Sequence, residues 1–488
     1  MEMLEFERTR ATRHACAVPY ANEFMAEVFR DRLFQEDIRQ LSSAPGTDLE
    51  QVLLHTLDAR RLHTDRDKRL LIADGVLIPS AILAGSQGMI AGAVVIVLVL
   101  IACCLPIVLR DSREVRKILA EMSRPGGSWK REKRAEPGKL KARLDLISSN
   151  QFSGASCPLD NVSIHDGFEP FREYGHKVSG WSLVVPMRPQ EASLLGPAKP
   201  FQEFTAWGLS RHLKRSLEEL PGRRSPDEAV LVEDRVFVNG NSARGLHWLW
   251  DVEHSRRVSR RCVRPVRRVD DMRDLVDSPH PAARHYLGVH VVSWGGELVT
   301  STFLHLATAH RTLYIDCQRV IMPPVAERYR VLDRMERKPS SDARLWGTAL
   351  LMTPVRIVMA PALIVGRKAS DLAHRWDRKR LEKQADSSSG VDFSIGPNVR
   401  KVIGEGLYRS HFQKIDCDRQ LKAVERHVLA EVIKFLDEKG MDISEFKSQQ
   451  TVILNEGIIQ SGGTSRTDTM VVGRNSRSHR FTSSPEGK

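Results

Sequence analysis

Apolar and polar positions along the chain fall into three textures. The first is one long apolar run, Leu70 to Leu109 (LLIADGVLIPSAILAGSQGMIAGAVVIVLVLIACCLPIVL). Its second half, Met89–Leu109, has 21 residues without a charge, enough for a bilayer core of about 30 Å at 1.5 Å per residue. The first half, Leu70–Ala84, is shorter and carries Asp74 and Pro79. Two geometries fit: a single crossing by Met89–Leu109, or a hairpin turning at Gly85-Ser-Gln-Gly88. Arg60, Arg61, Arg66, Lys68 and Arg69 precede the run, and Arg110, Arg113, Arg116 and Lys117 follow it. Cytoplasmic flanks collect Lys and Arg, so two basic flanks favour the hairpin with both ends inside. The run begins too deep in the chain for a signal peptide.

The second texture has the helical period. Residues 1–20 carry no clear period, but Phe24, Met25, Val28, Phe29, Leu33, Phe34, Ile38 and Leu41 form a stripe that predicts a helix from Asn22 to about Leu41. Ser42–Thr47 breaks it, and a second helix is expected from Asp48 through Leu53, Leu54 and Leu57. After the apolar run, Asp111–Ser123 should continue as a charged helix ended by Arg124-Pro-Gly-Gly-Ser128, with a basic linker to about Arg143. Pro200–Leu220 reads as one helix. Leu345–Gly366 is apolar but contains Pro354, Arg356 and Pro361. A central Arg costs about 2.5–3.5 kcal/mol in a bilayer, so this stretch reads as a membrane-surface or packing helix, a second crossing being the alternative. A charged helix, Lys368–Lys383, and a linker, 384–398, follow. Asp418–Lys439 is the strongest helix of the C-terminal part, with Leu421, Val424, Val428, Val432, Phe435 and Leu436 on one face and Gly440 as its stop.

The third texture is β. Asn161–His165, Trp181–Val185, Ala229–Val232 and Arg235–Val238 are short β-branched runs, with Asn239-Gly-Asn241 as a turn signal. Tyr286–Trp294, Gly295-Gly296 and Leu298–Leu306 form the clearest hairpin signal, followed by a strand at Thr312–Met322. Thr451–Asn455, Gly457–Gln460 and Met470–Val472 read as strands of a terminal β tail.

The pattern predicts a membrane-anchored α+β protein. Its parts are an N-terminal helical region (1–69), the apolar hairpin or single span (70–109), a basic juxtamembrane helix and linker (110–149), a cytosolic α+β domain (150–335), amphipathic and charged helices (336–383), a linker (384–398), a helical segment (399–450), a β tail (451–473) and a polar end (474–488).

Charge changes this picture in two places. The net +13 is concentrated in Arg110–Arg143, with twelve Lys/Arg against five acids, and in Ser255–Arg268, with seven arginines and no acid. The first patch directly follows the apolar run, where basic residues are drawn to anionic lipid head groups. Arg110, Arg113, Arg116, Lys117, Lys130, Arg131, Lys133 and Arg134 are its candidate lipid-surface residues. The second has no interleaved aromatics, which argues against a single-strand nucleic-acid binder.

Seven cysteines, an odd number without a CxxC pair, argue against a disulfide framework or a zinc site. His305 and His310 with Asp316 and Cys317 make a poor metal set, because strand alternation points them in different directions. Asp270-Asp271 reads as local charge balance, and Ser293-Trp-Gly-Gly296 as a hairpin turn. No phosphate loop, GxSxG, HExxH or dinucleotide fingerprint is present, so no cofactor is expected.

Four groups of residues carry a resemblance: NVSIHDGFEPF (161–171) with Gly180-Trp181; LVEDRVFVNG (231–240); SWGGELV (293–299) with LYIDCQRVIMPP (313–324); and FLDEKGMDISEFKSQQTVILNEGIIQSGG (435–463). Together they resemble an uncharacterised family of bacterial integral membrane proteins from high-GC actinobacteria. The resemblance implies membrane attachment through closely spaced apolar segments, a cytosolic α+β domain and a strand-rich C-terminal tail. It implies no activity.

The functional expectation is a scaffold or interaction protein at the cell membrane, its other domains cytoplasmic, with the β tail as a self-association element. The alternative is a membrane-bound, hydrolase-like enzyme with its site in 150–335, which a pocket gathering His, Asp and Ser side chains within hydrogen-bond reach would favour.

Overall fold

The computed structural model describes residues 9–35, 45–86, 90–131, 138–149, 151–152, 161–165, 167–191, 199–219, 228–240, 269–278, 280–337, 342–386 and 398–456. The architecture is mixed α+β, built on one six-stranded sheet.

The N-terminal layer starts with α1 (Arg10–Ala21) and α2 (Glu23–Arg30), separated by Asn22, whose side chain accepts from the Met25 amide and caps α2. Residues 10–20 show no period because α1 is buried on nearly every side, Arg13 and His14 included. The stripe from Asn22 is helical to Arg30 and continues as a π turn, Asp31–Gln35; Ile38 and Leu41 lie outside the described residues. Asp48 then accepts from the Glu50 and Gln51 amides at the start of α3 (Leu49–Ser86). This 38-residue helix runs from the N-terminal layer through the basic flank into the apolar run, so Leu70–Ala84 is no separate limb. α4 (Ile90–Ser123) returns against it, and Leu70 packs with Leu100, Cys104 and Val108. The two helices pack as a pair, and residues 87–89 between them lie outside the described residues.

One expectation fails just beyond. Gly138–Ser149 is a helix, α5, where the basic linker was expected to run to about Arg143. Leu140, Leu144 and Ile147, spaced by four and three, bury against the N-terminal layer; the charge run masked their helical period.

The sheet contains β1 (Val162–His165), β2 (His176–Pro186), β3 (Ala229–Asn239), β4 (Ala283–Ser293), β5 (Leu298–Ala309) and β6 (Thr312–Met322). Their order is β1-β3-β4-β5-β6-β2, with β1 parallel to β3 and the other pairs antiparallel. The two predicted runs around Val230 and Val236 are one strand, β3, because Glu233-Asp234 between them keeps the ladder to β4. The predicted hairpin and following strand are β4, β5 and β6.

One sheet face packs on α6 (Ala206–Glu218), α7 (Val269–Asp277), α11 (His411–Glu438) and α12 (Ser444–Glu456). Leu209, Leu213, Val289, Leu304, Ile315, Val428 and Val432 share this core. α6 starts later than Pro200 because Thr205 accepts from the Gly208 amide as its cap. The opposite face lies under the 3-10 turn Pro170–Tyr174, where Phe171 and Tyr174 pack on Phe237 and Phe303.

α8 (Val331–Arg337) leads to α9 (Asp342–Asp386), 45 residues that join the apolar stretch and the charged helix into one and hold Pro354 and Pro361 inside. A short α10 (Val399–Val402) precedes α11, whose C-terminal stop is Gly440 at φ +65°. Thr451–Asn455 is helical, not a strand. Asp442 caps the start of α12 through the Ser444 amide and Phe446 is fully buried, so tertiary anchoring overrides the β-branched run. The rest of the expected β tail, 457–473, and the arginine patch 255–268 lie outside the described residues.

Candidate functional site

Two places concentrate groups that packing alone does not require. The first is the apolar surface. α4 turns Val94, Val95, Val97, Leu98 and Val99 outward, and α9 does the same with Leu350, Leu351, Val355, Val358, Met359 and Val365; Val358 is 76 % exposed. Both helices are long and apolar enough to cross a membrane by length and composition.

Their charged ends are tied together. Glu23 of α2 pairs with Arg66 of α3 and with Arg356 and Arg367 of α9. Arg66 also reaches Asp67 at 2.6 Å and Asp111 of α4 at 3.1 Å, and Arg367 reaches Asp67 at 2.7 Å. Burial works against the Glu23 charge, yet Arg66, His63 and Arg356 outweigh it and hold its pKa at about 2. At the other end of α9's apolar stretch, Asp342 pairs with Arg116 of α4 at 2.7 Å. Asp342 and Arg367 are about 37 Å apart along a helix rising 1.5 Å per residue, yet both are fastened to the charged end of the hairpin. Between these ties Ala349, Ile357 and Ala360 of α9 pack with Leu100, Cys104 and Val108 of α4.

Of the candidate lipid-surface residues, Arg113, Arg116 and Lys117 line a groove of about 330 Å³ with Asp342, Leu345 and Trp346. The Arg113 guanidinium sits 5.6 Å from the Trp346 ring centroid. Arg110 and Lys130 are exposed. Arg131 belongs elsewhere: its side chain pairs with Asp58 at 3.1 Å and its backbone exchanges hydrogen bonds with the Gln51 side chain. Lys133 and Arg134 lie outside the described residues.

The second place is a polar chain buried on the turn-covered sheet face. Cross-strand register sets His290 of β4 opposite Ser301 of β5, and their side chains meet at 2.8 Å, Oγ to Nδ1. The His290 Nε2 lies 3.1 Å from Glu233 Oε1. Glu233 can only accept, so Nε2 carries the proton, and in the neutral ring Nδ1 accepts from the Ser301 hydroxyl. Glu233 also takes two hydrogen bonds from Arg235 (3.1 and 2.6 Å) and one from the Tyr174 hydroxyl (3.2 Å). Gly288 makes the room: a Cβ there would come within 3.2 Å of both Glu233 Cγ and His290 Nε2. Burial raises the Glu233 pKa, but Arg235 and His290 overcome it and hold the carboxylate at about 2.

The connectivity, hydroxyl to imidazole to carboxylate, matches that of a nucleophile, base and orienting acid. Access does not match. Ser301, His290 and Glu233 are fully buried, and Tyr174 stacks on His290 with ring centroids 5.4 Å apart. None of these residues stood out in the sequence. Alternation about the Trp294–Gly296 turn was the available signal, since it sets residues 290 and 301 side by side.

His305 and Asp316 do oppose each other across β5 and β6, but Cys317 points to the other face and His310 lies in the turn. Among the described residues no group of three or more His, Cys, Asp or Glu is placed to hold a metal.

A family model described as AbeC-like domain matches residues 180–467. The chain belongs to this family. The AbeC-like region starts within β2, at Gly180, and takes in β3 to β6, α9 with its apolar face, and the C-terminal helices; α3 and α4 precede it. Three of the four resemblance groups fall inside it, and Asn161–Phe171 of the remaining group lies outside. No curated protein and no solved structure matches the chain.

Proposed function

We propose that this AbeC-like protein is a membrane-anchored scaffold or interaction protein, with the α3–α4 hairpin inserted in the bilayer and the α+β body held on the cytoplasmic side. The observation that carries this reading is the outward apolar surface of α4 and α9, which ends at the Arg113, Arg116, Lys117 and Trp346 groove. In water such a surface would be a liability; in a bilayer it is the anchor. The ion pairs at both ends of α9 support an in-plane position for that helix at the interface, its apolar side toward the acyl chains. The groove would take a lipid phosphate, and the expected self-association would fall to the segment after α12.

Topology reporters fused after Gln51, after Ser149 and at Lys488 test this arrangement. All three are expected on the cytoplasmic side. Gln51 opposite Ser149 would replace the hairpin by one crossing, and Lys488 opposite Ser149 would make α9 a span and sink the scaffold arrangement.

A second reading, a membrane-bound hydrolase, is favoured by the Ser301–His290–Glu233 chain. It requires Ser301 to become reachable. A fluorophosphonate probe should label the protein and fail on Ser301→Ala if this reading holds; absence of Ser301 labelling in folded protein leaves the chain a structural element.

A further inference from the structure

Away from the apolar surface, an open cleft of about 480 Å³ lies between the Pro170–Tyr174 turn, the start of β2 and α10. Among the described residues it is lined by Arg172, His176, Lys177 and Lys401, by one carboxylate, Glu169, and by the aromatic rings of Phe168 and Phe171. We infer that this cleft binds a phosphate ester carrying a planar aromatic group, a mononucleotide being the simplest such ligand.

The walls are fixed before any ligand arrives. Phe171 and Tyr174 anchor the inner side of the turn in the aromatic core of the sheet. The Asn398 amide and side chain donate to Glu173, at 2.7 and 3.2 Å. Lys401 Nζ donates to the Arg172 and Gly175 carbonyls at 2.6 and 3.3 Å. Gly175 sits at φ +132°, and a Cβ there would come within 2.1 Å of the Ile321 carbonyl oxygen, so the turn can lie this close to β6 only with glycine. A preorganised concave site loses little freedom on binding.

The electrostatics select an anion. Among the described lining residues Arg172, Lys177 and Lys401 stand against one carboxylate, Glu169, which Lys177 approaches only to 4.0 Å, and Glu173 acts on Lys401 from behind the wall. Lys401 commits two of its three ammonium protons to the carbonyls, which leaves one for a ligand oxygen. Burial, with Lys401 nearby, lowers the His176 pKa. Burial also lowers that of Lys401, with Arg172 adding to it against Glu173. An arriving anion would relieve both. Phosphate suits this mixture of guanidinium and ammonium donors. The aromatic part of the ligand follows from Phe168, which stands 92 % exposed at the cleft. Single exposed apolar side chains are ordinary, but a ring beside a cationic cleft offers a stacking face for a base whose phosphate the cations hold.

Isothermal titration of the full chain in detergent micelles, with adenosine 5′-monophosphate, adenosine and inorganic phosphate as separate probes, tests the site. The monophosphate should bind about tenfold or more tighter than either fragment. Phe168→Ala should weaken the monophosphate about tenfold and leave inorganic phosphate unchanged. The pair Arg172→Ala and Lys177→Ala should weaken both, with an unchanged unfolding midpoint showing that the turn still folds. No binding of the monophosphate at millimolar concentration, equal binding of inorganic phosphate, or indifference to these substitutions would each overturn the assignment.

Discussion

Val289, Leu304 and Ile315 of the sheet lie buried beneath α6 and α11, whereas Val95, Leu98 and Val358 of the hairpin and α9 face outward. The residue types are alike; what differs is the cover. The sheet closes both faces with protein, helices on one side and an aromatic turn with the N-terminal layer on the other. The hairpin helices and α9 cover one another along one stripe, Leu70, Leu100, Cys104 and Val108 with Ile357 and Ala360, and leave the rest outward. Polar groups divide in the same way. In the sheet they form a closed chain, Ser301 to His290 to Glu233 to Arg235, with each partner inside the fold. At the hairpin they collect in a belt at one end, where Glu23, Arg66, Asp67, Asp111 and Arg367 tie α2, α3, α4 and α9 together. That division, apolar at one end and ion-paired at the other, is what the proposed membrane anchoring rests on.

The comparison breaks most visibly if the outward residues are made to prefer water. Val95→Arg with Leu98→Arg should cost about 2.5–3.5 kcal/mol per substitution in membrane insertion and move the protein from the carbonate-resistant membrane pellet to the extractable fraction. If the double variant stays in the pellet, the hairpin is not the anchor. The control is Leu304→Ala in the sheet core, which should lower stability by about 2–5 kcal/mol and leave membrane partition unchanged.

In the sheet, Arg235→Ala would leave the Glu233 carboxylate buried without its main cation. Breaking a buried pair from one side costs about 3–5 kcal/mol, read as a shift in the urea midpoint. Glu233→Gln combined with Arg235→Met should recover most of that loss, since removing both charges also removes the need to solvate either. Failure of the pair to recover stability would mean that the polar chain does more than satisfy itself.

Acid tests both regions together. Glu23 and Glu233 have folded pKa values of about 2 against an ordinary value of 4.5. A depressed carboxylate stabilises the fold above its unfolded pKa and loses that contribution as pH falls toward the folded one. The thermal midpoint should therefore stay level near neutrality and drop from about pH 4.5 toward pH 2, on the order of 3 kcal/mol per carboxylate as an upper bound. Glu23→Gln should flatten the acid limb of the helical part alone, and Glu233→Gln that of the sheet.

The β4–β5 hairpin and β6 were legible because strand period and turn residues agree there over Tyr286–Met322. The length of α3 was not, because the change from amphipathic to apolar near Leu70 looks like an element boundary although the helix passes through it. Helix α5 was hidden by its lysines and arginines, and the Thr451–Asn455 segment was misread because Phe446 and the Asp442 cap decide it from outside the run. The buried Ser–His–Glu chain needed register as well as period: only pairing β4 with β5 brings His290 to Ser301, and only β3 on the other side supplies Glu233. The candidate lipid-surface residues split. Charge placed them after the apolar run, but fold decides which of them stay outward.

That last division gives the smallest and sharpest test. Arg113 and Lys117 are exposed in the groove beside Trp346, whereas Arg131 pairs with Asp58 within the N-terminal layer. All three count equally in a sequence-level basic patch. Arg113→Ala and Lys117→Ala should each weaken binding to anionic vesicles by about 1 kcal/mol, with the effect fading as salt rises. Arg131→Ala should leave vesicle binding unchanged and lower the thermal midpoint slightly, because its pairing with Asp58 is only half-buried. Equal losses of vesicle binding in all three variants would mean that lipid senses the basic patch as a whole, and that the groove between α4 and α9 has no particular role in anchoring.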